Sequence, residues 1–127
     1  MSEAISQGVR VHVQPRFHPE RSDPAESYWF FSYTVTIENT GVDPVQLIDR
    51  HWVITDASGE ERHVRGPGVV GEQPELAPGQ SFRYTSFCPL KTSLGAMHGT
   101  FGMLNADGDR FDAAVAPFSL ADPATLN

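Results

Sequence analysis

The chain has 127 residues, 39% of them hydrophobic, and sixteen acidic against nine basic side chains give a formal charge of -7. That length suits a single domain over 1–127 that can bury a core without a staple, and the charge argues against nucleic acid and anionic lipid as partners. A lone Cys88 excludes an internal disulfide, the N-terminus lacks a signal-peptide pattern, and no apolar run approaches the roughly 18 residues of a membrane span, so a cytoplasmic protein is expected.

Val9, Val11 and Val13 alternate with Arg10, His12 and Gln14, which predicts a half-buried opening strand. Prolines 15, 19 and 24 and their polar neighbours predict a mobile loop over 16–26. The clearest strand follows, with Trp29, Phe31, Tyr33, Val35 and Ile37 on an inward face and Asn39, Thr40 and Gly41 ending it as a turn. Val45 to Thr55 and Glu60 to Val64 read as a hairpin closed by Asp56, Ala57, Ser58 and Gly59.

Gly66, Gly68 and Gly71 then match the Gly-x-Gly-x-x-Gly spacing that holds a pyrophosphate at the start of a helix. Pro74 and Pro78 bar that helix, so the triplet is predicted on a loop between strands and a nicotinamide dehydrogenase is excluded. Two roles stay open for it. The glycines can supply positive φ to a tight loop, or the loop amides can hold an anion with Arg65 as charged partner. In the second case the candidate site is Arg65, Gly66, Gly68, Val69, Val70 and Gly71, with Mg²⁺ bridging the phosphates and no other cofactor.

Phe82, Tyr84, Ser86 and Cys88 alternate along a further strand, and Ala96 to Leu104 and Arg110 to Leu120 form a hairpin around Asp107-Gly108. The pattern is all-β: a single-domain antiparallel β-sandwich of immunoglobulin or fibronectin type III kind with about seven strands. Its ordered core is expected over about 5–120, with a frayed polar tail over 121–127.

Chemically the chain is sparse. No Ser, Cys or Thr carries a nucleophile signature, and Cys88 reads as a small buried hydrophobe, so no catalytic residue is assigned and no enzyme is expected. The carboxylate pairs Asp107/Asp109 and Glu60/Glu61 fall in turns. The five histidines lack the close spacing of a zinc site. His12, His51 and His98 lie on strands that could meet across a sheet, but no metal ligand is assigned.

Three segments carry a resemblance: LIDRHWVITDASG (Leu47 to Gly59), VRGPGVVGEQPELAPGQSFRYTS (Val64 to Ser86) and PLKTSLGAMHGTFGM (Pro89 to Met103). In order and in glycine and proline spacing they resemble the bacterial ApaG family. The resemblance implies a fibronectin type III-like sandwich and a link to cobalt resistance and magnesium efflux. It also implies kinship with domains of an F-box protein and a polymerase-interacting protein, where the module recognises proteins, and nucleotide or pyrophosphate binding at the glycine motif. The expected function is therefore a non-catalytic module for an unidentified protein partner, with an exposed edge strand that leaves room for a homodimer. The alternatives are a protein that binds pyrophosphate or a nucleotide (ATP, GTP or a dinucleoside polyphosphate), and a role in divalent cation homeostasis.

Overall fold

A computed structural model describes residues 1–126; Asn127 lies outside the described residues. Nine strands build two antiparallel sheets packed face to face. The first sheet has the order β1-β2-β3-β7, from Ser2–Ser6, Val9–Phe17, Trp29–Asn39 and Ser81–Leu90. The second has the order β5-β4-β8-β9, from Glu61–Pro67, Val45–Asp56, Leu94–Leu104 and Arg110–Ala121, with the short β6 (Glu75–Leu76) paired to the start of β4. This is the expected all-β sandwich. Its two additional strands, β1 and β6, lie outside the seven segments that alternate clearly.

Period-two alternation sets the core. Val11 and Val13 stand opposite Ile37 and Val35 of β3, with Val9 and Phe31 in the same cluster, and Leu47, Trp52, Phe101, Met103 and Leu120 close it from the opposite sheet, all buried. Tyr33 and Trp52 meet edge to face at 5.2 Å, joining the sheets at the centre. On β3 the expected inward set is buried at Phe31, Tyr33, Val35 and Ile37 and half-buried at Trp29. Two residues of the other face, Phe30 and Ser32, are buried as well.

The cause is the segment read as a mobile loop. It folds into two 3-10 turns, Pro19–Arg21 and Pro24–Glu26, over the outer face of β3. There the His18 ring bonds the Ser32 hydroxyl at 2.7 Å and the Arg21 guanidinium lies 3.9 Å from the centre of the Phe30 ring.

Regular structure is present at both ends of the described chain. Strand β1 starts at Ser2, joined to β2 through Gln7 and Gly8, both at positive φ. At the other end Asp122 is buried, caps the turn Pro123–Thr125 and accepts from the Trp29 indole at 3.3 Å. The sandwich is sutured on one flank, where the Ala114 amide of β9 donates to the Ser6 hydroxyl of β1 at 3.0 Å. On the other flank the edge strands β5 and β7 face each other across a cleft of about 230 Å³ lined by Tyr28, Ile54, Arg62 and Leu90. No helix among the described residues is long and apolar enough to cross a membrane.

Candidate functional site

The glycine triplet does not lie on one loop. Strand β5 runs through Pro67, so Arg65 and Gly66 are strand residues paired with His51 and Arg50 of β4. This corrects the expectation that β5 ends near Val64 and that all three glycines sit between strands. The β4 strand is long enough to keep pairing, and Gly66 leaves room for Arg50: a Cβ there would lie 3.1 Å from the guanidinium.

Gly68 begins the turn proper. Its φ is +61° and a Cβ would lie 2.3 Å from the Glu72 carbonyl oxygen, so no side chain fits. Val69 and Glu72 exchange backbone hydrogen bonds at 2.9 and 2.8 Å, and Val70 and Gly71 between them both take positive φ. Only the Gly71 Cβ direction is open.

These bonds decide what the loop amides can do. Gly68 N–H already donates to the Ile48 carbonyl at 2.8 Å and Val69 N–H to Glu72, which leaves Val70 and Gly71 as the amides without a backbone acceptor. The loop is anchored from β4, where the Arg50 guanidinium donates to the carbonyls of Pro67 and Gly68 at 3.1 and 2.9 Å. Much of the motif's hydrogen bonding is therefore spent on holding the chain.

A groove of about 580 Å³ lies beside it on the outer face of the second sheet, lined by Asp49, His51, Arg65, Gly66, Thr100 and Arg110 among others. Of the six candidate residues, Arg65 and Gly66 line this groove and Gly68, Val69, Val70 and Gly71 do not. The Arg110 guanidinium is held on the Asp49 carboxylate, 2.7 Å from both oxygens, across Gly102, where a side chain would collide with both. Asp49 thereby raises the pKa of Arg110. Arg65 is exposed, makes no hydrogen bond or ion pair, and is the groove's free guanidinium among the described residues.

The histidines sort differently from expectation. His12 belongs to the first sheet, with Nε2 3.2 Å from the Met1 sulfur, and does not approach His51. It is His63, on β5, that meets His51. The period of β5 carries that information in sequence once β4 and β5 are paired, because His63 and Arg65 then share an outward face. Crowding on this face, then the charges of Arg65, His63 and His98, lowers the pKa of His51.

On β7, Cys88 is buried as expected; burial raises its thiol pKa, opposed by Arg62, whose guanidinium lies 3.8 Å from the sulfur. Alternation along β7 turns the neighbouring Phe87 outward, onto an aromatic surface. Phe87 and Tyr28 are 53% and 41% exposed, flanking the Arg21-Phe30 stack, with Phe30 and Phe87 at 5.4 Å.

A family model of the ApaG domain matches residues 19–105. The chain belongs to the ApaG family. It is 52% identical over 127 residues to Protein ApaG of Anaeromyxobacter dehalogenans strain 2CP-C, covering 100% of both chains. It is 52% identical over 123 residues to Protein ApaG of Bradyrhizobium sp. strain ORS 278, covering 97% of this chain and 95% of that one. The crystal structure of a Bordetella pertussis protein described as ApaA superposes with a TM-score of 0.89 at 50% identity, over 91% of this chain and 94% of the other. The ApaG match agrees with the resemblance read from the three segments, and the Bordetella pertussis structure agrees with the sandwich. The names of the ApaG relatives state no enzymatic activity.

Proposed function

We propose that this ApaG-family protein is a non-catalytic binding module whose partner is another protein. The observation that supports the reading is the surface at Tyr28 and Phe87, where two exposed aromatic rings flank an arginine already stacked on Phe30 and border the free edge of β7. Aromatic rings and arginine are enriched at protein interfaces; the rings bury large area at low entropic cost, and Arg21 is already held on Phe30. A binding role is favoured over catalysis because the single thiol is buried and its pKa raised.

The test is a capture experiment followed by titration with the purified partner. A Tyr28→Ser/Phe87→Ser double variant with native circular dichroism is expected to lose the partner, and Arg65→Ala to keep it. Equal binding by the double variant overturns the reading. A wild-type chain that self-associates, and a double variant that does not, assigns the surface to a second copy.

A second reading has its own support in Arg65, the unpaired guanidinium at a groove that also presents Gly66 and His51. A pyrophosphate or nucleotide would lie there, against Arg65 and Gly66, and the Gly68 to Gly71 turn would contribute at most the amides of Val70 and Gly71. The overall negative charge opposes an anion at long range, so affinity in the range of about micromolar to millimolar is expected, strengthened by Mg²⁺. Calorimetry with pyrophosphate, ATP and diadenosine tetraphosphate tests it. Arg65→Ala should weaken binding roughly tenfold, about 1.4 kcal/mol; unchanged binding removes the reading.

A further inference from the structure

The outer face of the second sheet carries a pair of imidazoles, His51 and His63, whose mutual contact neither reading uses. Strand pairing sets His51 opposite Arg65 and Val53 opposite His63, so His51 and His63 are diagonal neighbours on one face. Their rings stack at 5.1 Å with an angle of 29° between planes, and His51 Nε2 lies 2.9 Å from His63 Nδ1. The other nitrogen of His63, Nε2, is 2.7 Å from a Glu61 carboxylate oxygen. Since a carboxylate only accepts, it holds His63 with the proton on Nε2 and a lone pair on Nδ1, aimed at His51. The contact between the rings is then an N–H···N hydrogen bond with the proton on His51 Nε2.

We infer that His51 Nε2 and His63 Nδ1 are the anchoring ligands of a surface site for a divalent ion of the nickel or copper class. Two imidazole nitrogens bound about 2.0–2.1 Å from one ion at a right angle stand about 2.9 Å apart. That is the separation found here, and a right-angle bite suits the tetragonal preference of Cu²⁺ and Ni²⁺ over the wider angle of tetrahedral zinc. Loading changes the His51 tautomer with no net loss of a proton: the Nε2 proton leaves to water while Nδ1 takes one up from water, and both rings pivot to aim their lone pairs at one point.

Glu61 supplies the outer carboxylate that commonly fixes the tautomer and orientation of a metal-bound histidine. His98, paired with Val53 on β8, is a third imidazole on the same face. Among the described residues no three His, Cys, Asp or Glu side chains converge as a preformed metal cluster, so the remaining positions fall to water. Arg65 works against a cation from the position opposite His51.

Ni²⁺ alone, titrated onto the untagged full chain, provides the probe, followed by calorimetry and by the imidazole resonances. One equivalent is expected to bind and to perturb His51 and His63 first. His51→Ala and His63→Ala should each weaken binding at least tenfold, Glu61→Gln severalfold, and His12→Ala not at all. These side chains are at the surface, and circular dichroism confirms that each variant is folded. Absence of saturable binding overturns the site, as does binding unchanged in both single variants. Loss on His12→Ala instead places the ion at the amino terminus and overturns it too.

Discussion

Arg50 and Gly68 are locked together: the guanidinium on β4 donates to the Gly68 carbonyl at 2.9 Å, and to its neighbour Pro67, while Gly68 N–H returns to the Ile48 carbonyl. The turn with the pyrophosphate-like spacing is thus clamped to β4, the neighbour of the strand that leads into it. Arg50→Ala should cost about 2 kcal/mol, the scale of hydrogen bonds from a charged donor. Urea unfolding checks it, with Arg50→Lys recovering only part because an ammonium cannot span two carbonyls in the same planar geometry.

The glycines of the triplet should separate by cost. Gly68→Ala meets the Glu72 carbonyl as well as positive φ and should lose about 3 kcal/mol or more, whereas Gly71→Ala has open space and carries only backbone strain, about 1 kcal/mol. Thermal melts of the two variants decide it; equal losses would show that the turn relaxes.

Asp122 ties the end of the chain to β3. Asp122→Ala removes the cap on the Ala124 amide and the acceptor for Trp29, and is expected to cost about 1 kcal/mol by denaturation and to shift the Trp29 fluorescence.

For Cys88, burial holds the thiol neutral, so the folded protein should be inert to thiol reagents near neutral pH. Its folded pKa is raised, so the native state is favoured below the ordinary thiol value of 9.0 and loses that advantage as pH rises through the window above it. Labelling followed across a denaturant series is expected to track global unfolding. Labelling as fast as a free thiol without denaturant would mean that the cleft between β5 and β7 opens in the native state.

Where alternation is strict, as along Val9, Val11 and Val13 or Phe31 to Ile37, sequence alone places the residues correctly, because only one register buries the apolar set. Strand β1 escapes it because Gln7, which takes φ 46°, is not a residue that announces a turn. Val70 at φ 44° is hidden for the same reason: a β-branched residue enters that region only when the surrounding bonds impose it. Ser32 and Phe30 look exposed by period and are covered by a distant segment. The site was half legible. The glycine spacing pointed to the right stretch of chain, but whether its amides are free depends on Ile48 and Arg50, which lie 20 and 18 residues before Gly68 on β4.

The stitched flank and the cleft between β5 and β7 give the sandwich the mechanics of a bound book. Its spine runs along β1 and β9, and at its fore-edge Arg62 makes a long contact to the Cys88 sulfur while the Ala57 amide donates to the Thr92 hydroxyl between the adjoining turns at 3.1 Å. Any breathing of the two sheets would pivot at the spine and part first at the fore-edge, bringing into view the inner sides of β5 and β7 while the N-terminal hairpin stays shut. A ligand that grips the fore-edge would therefore act on the spacing of the two covers.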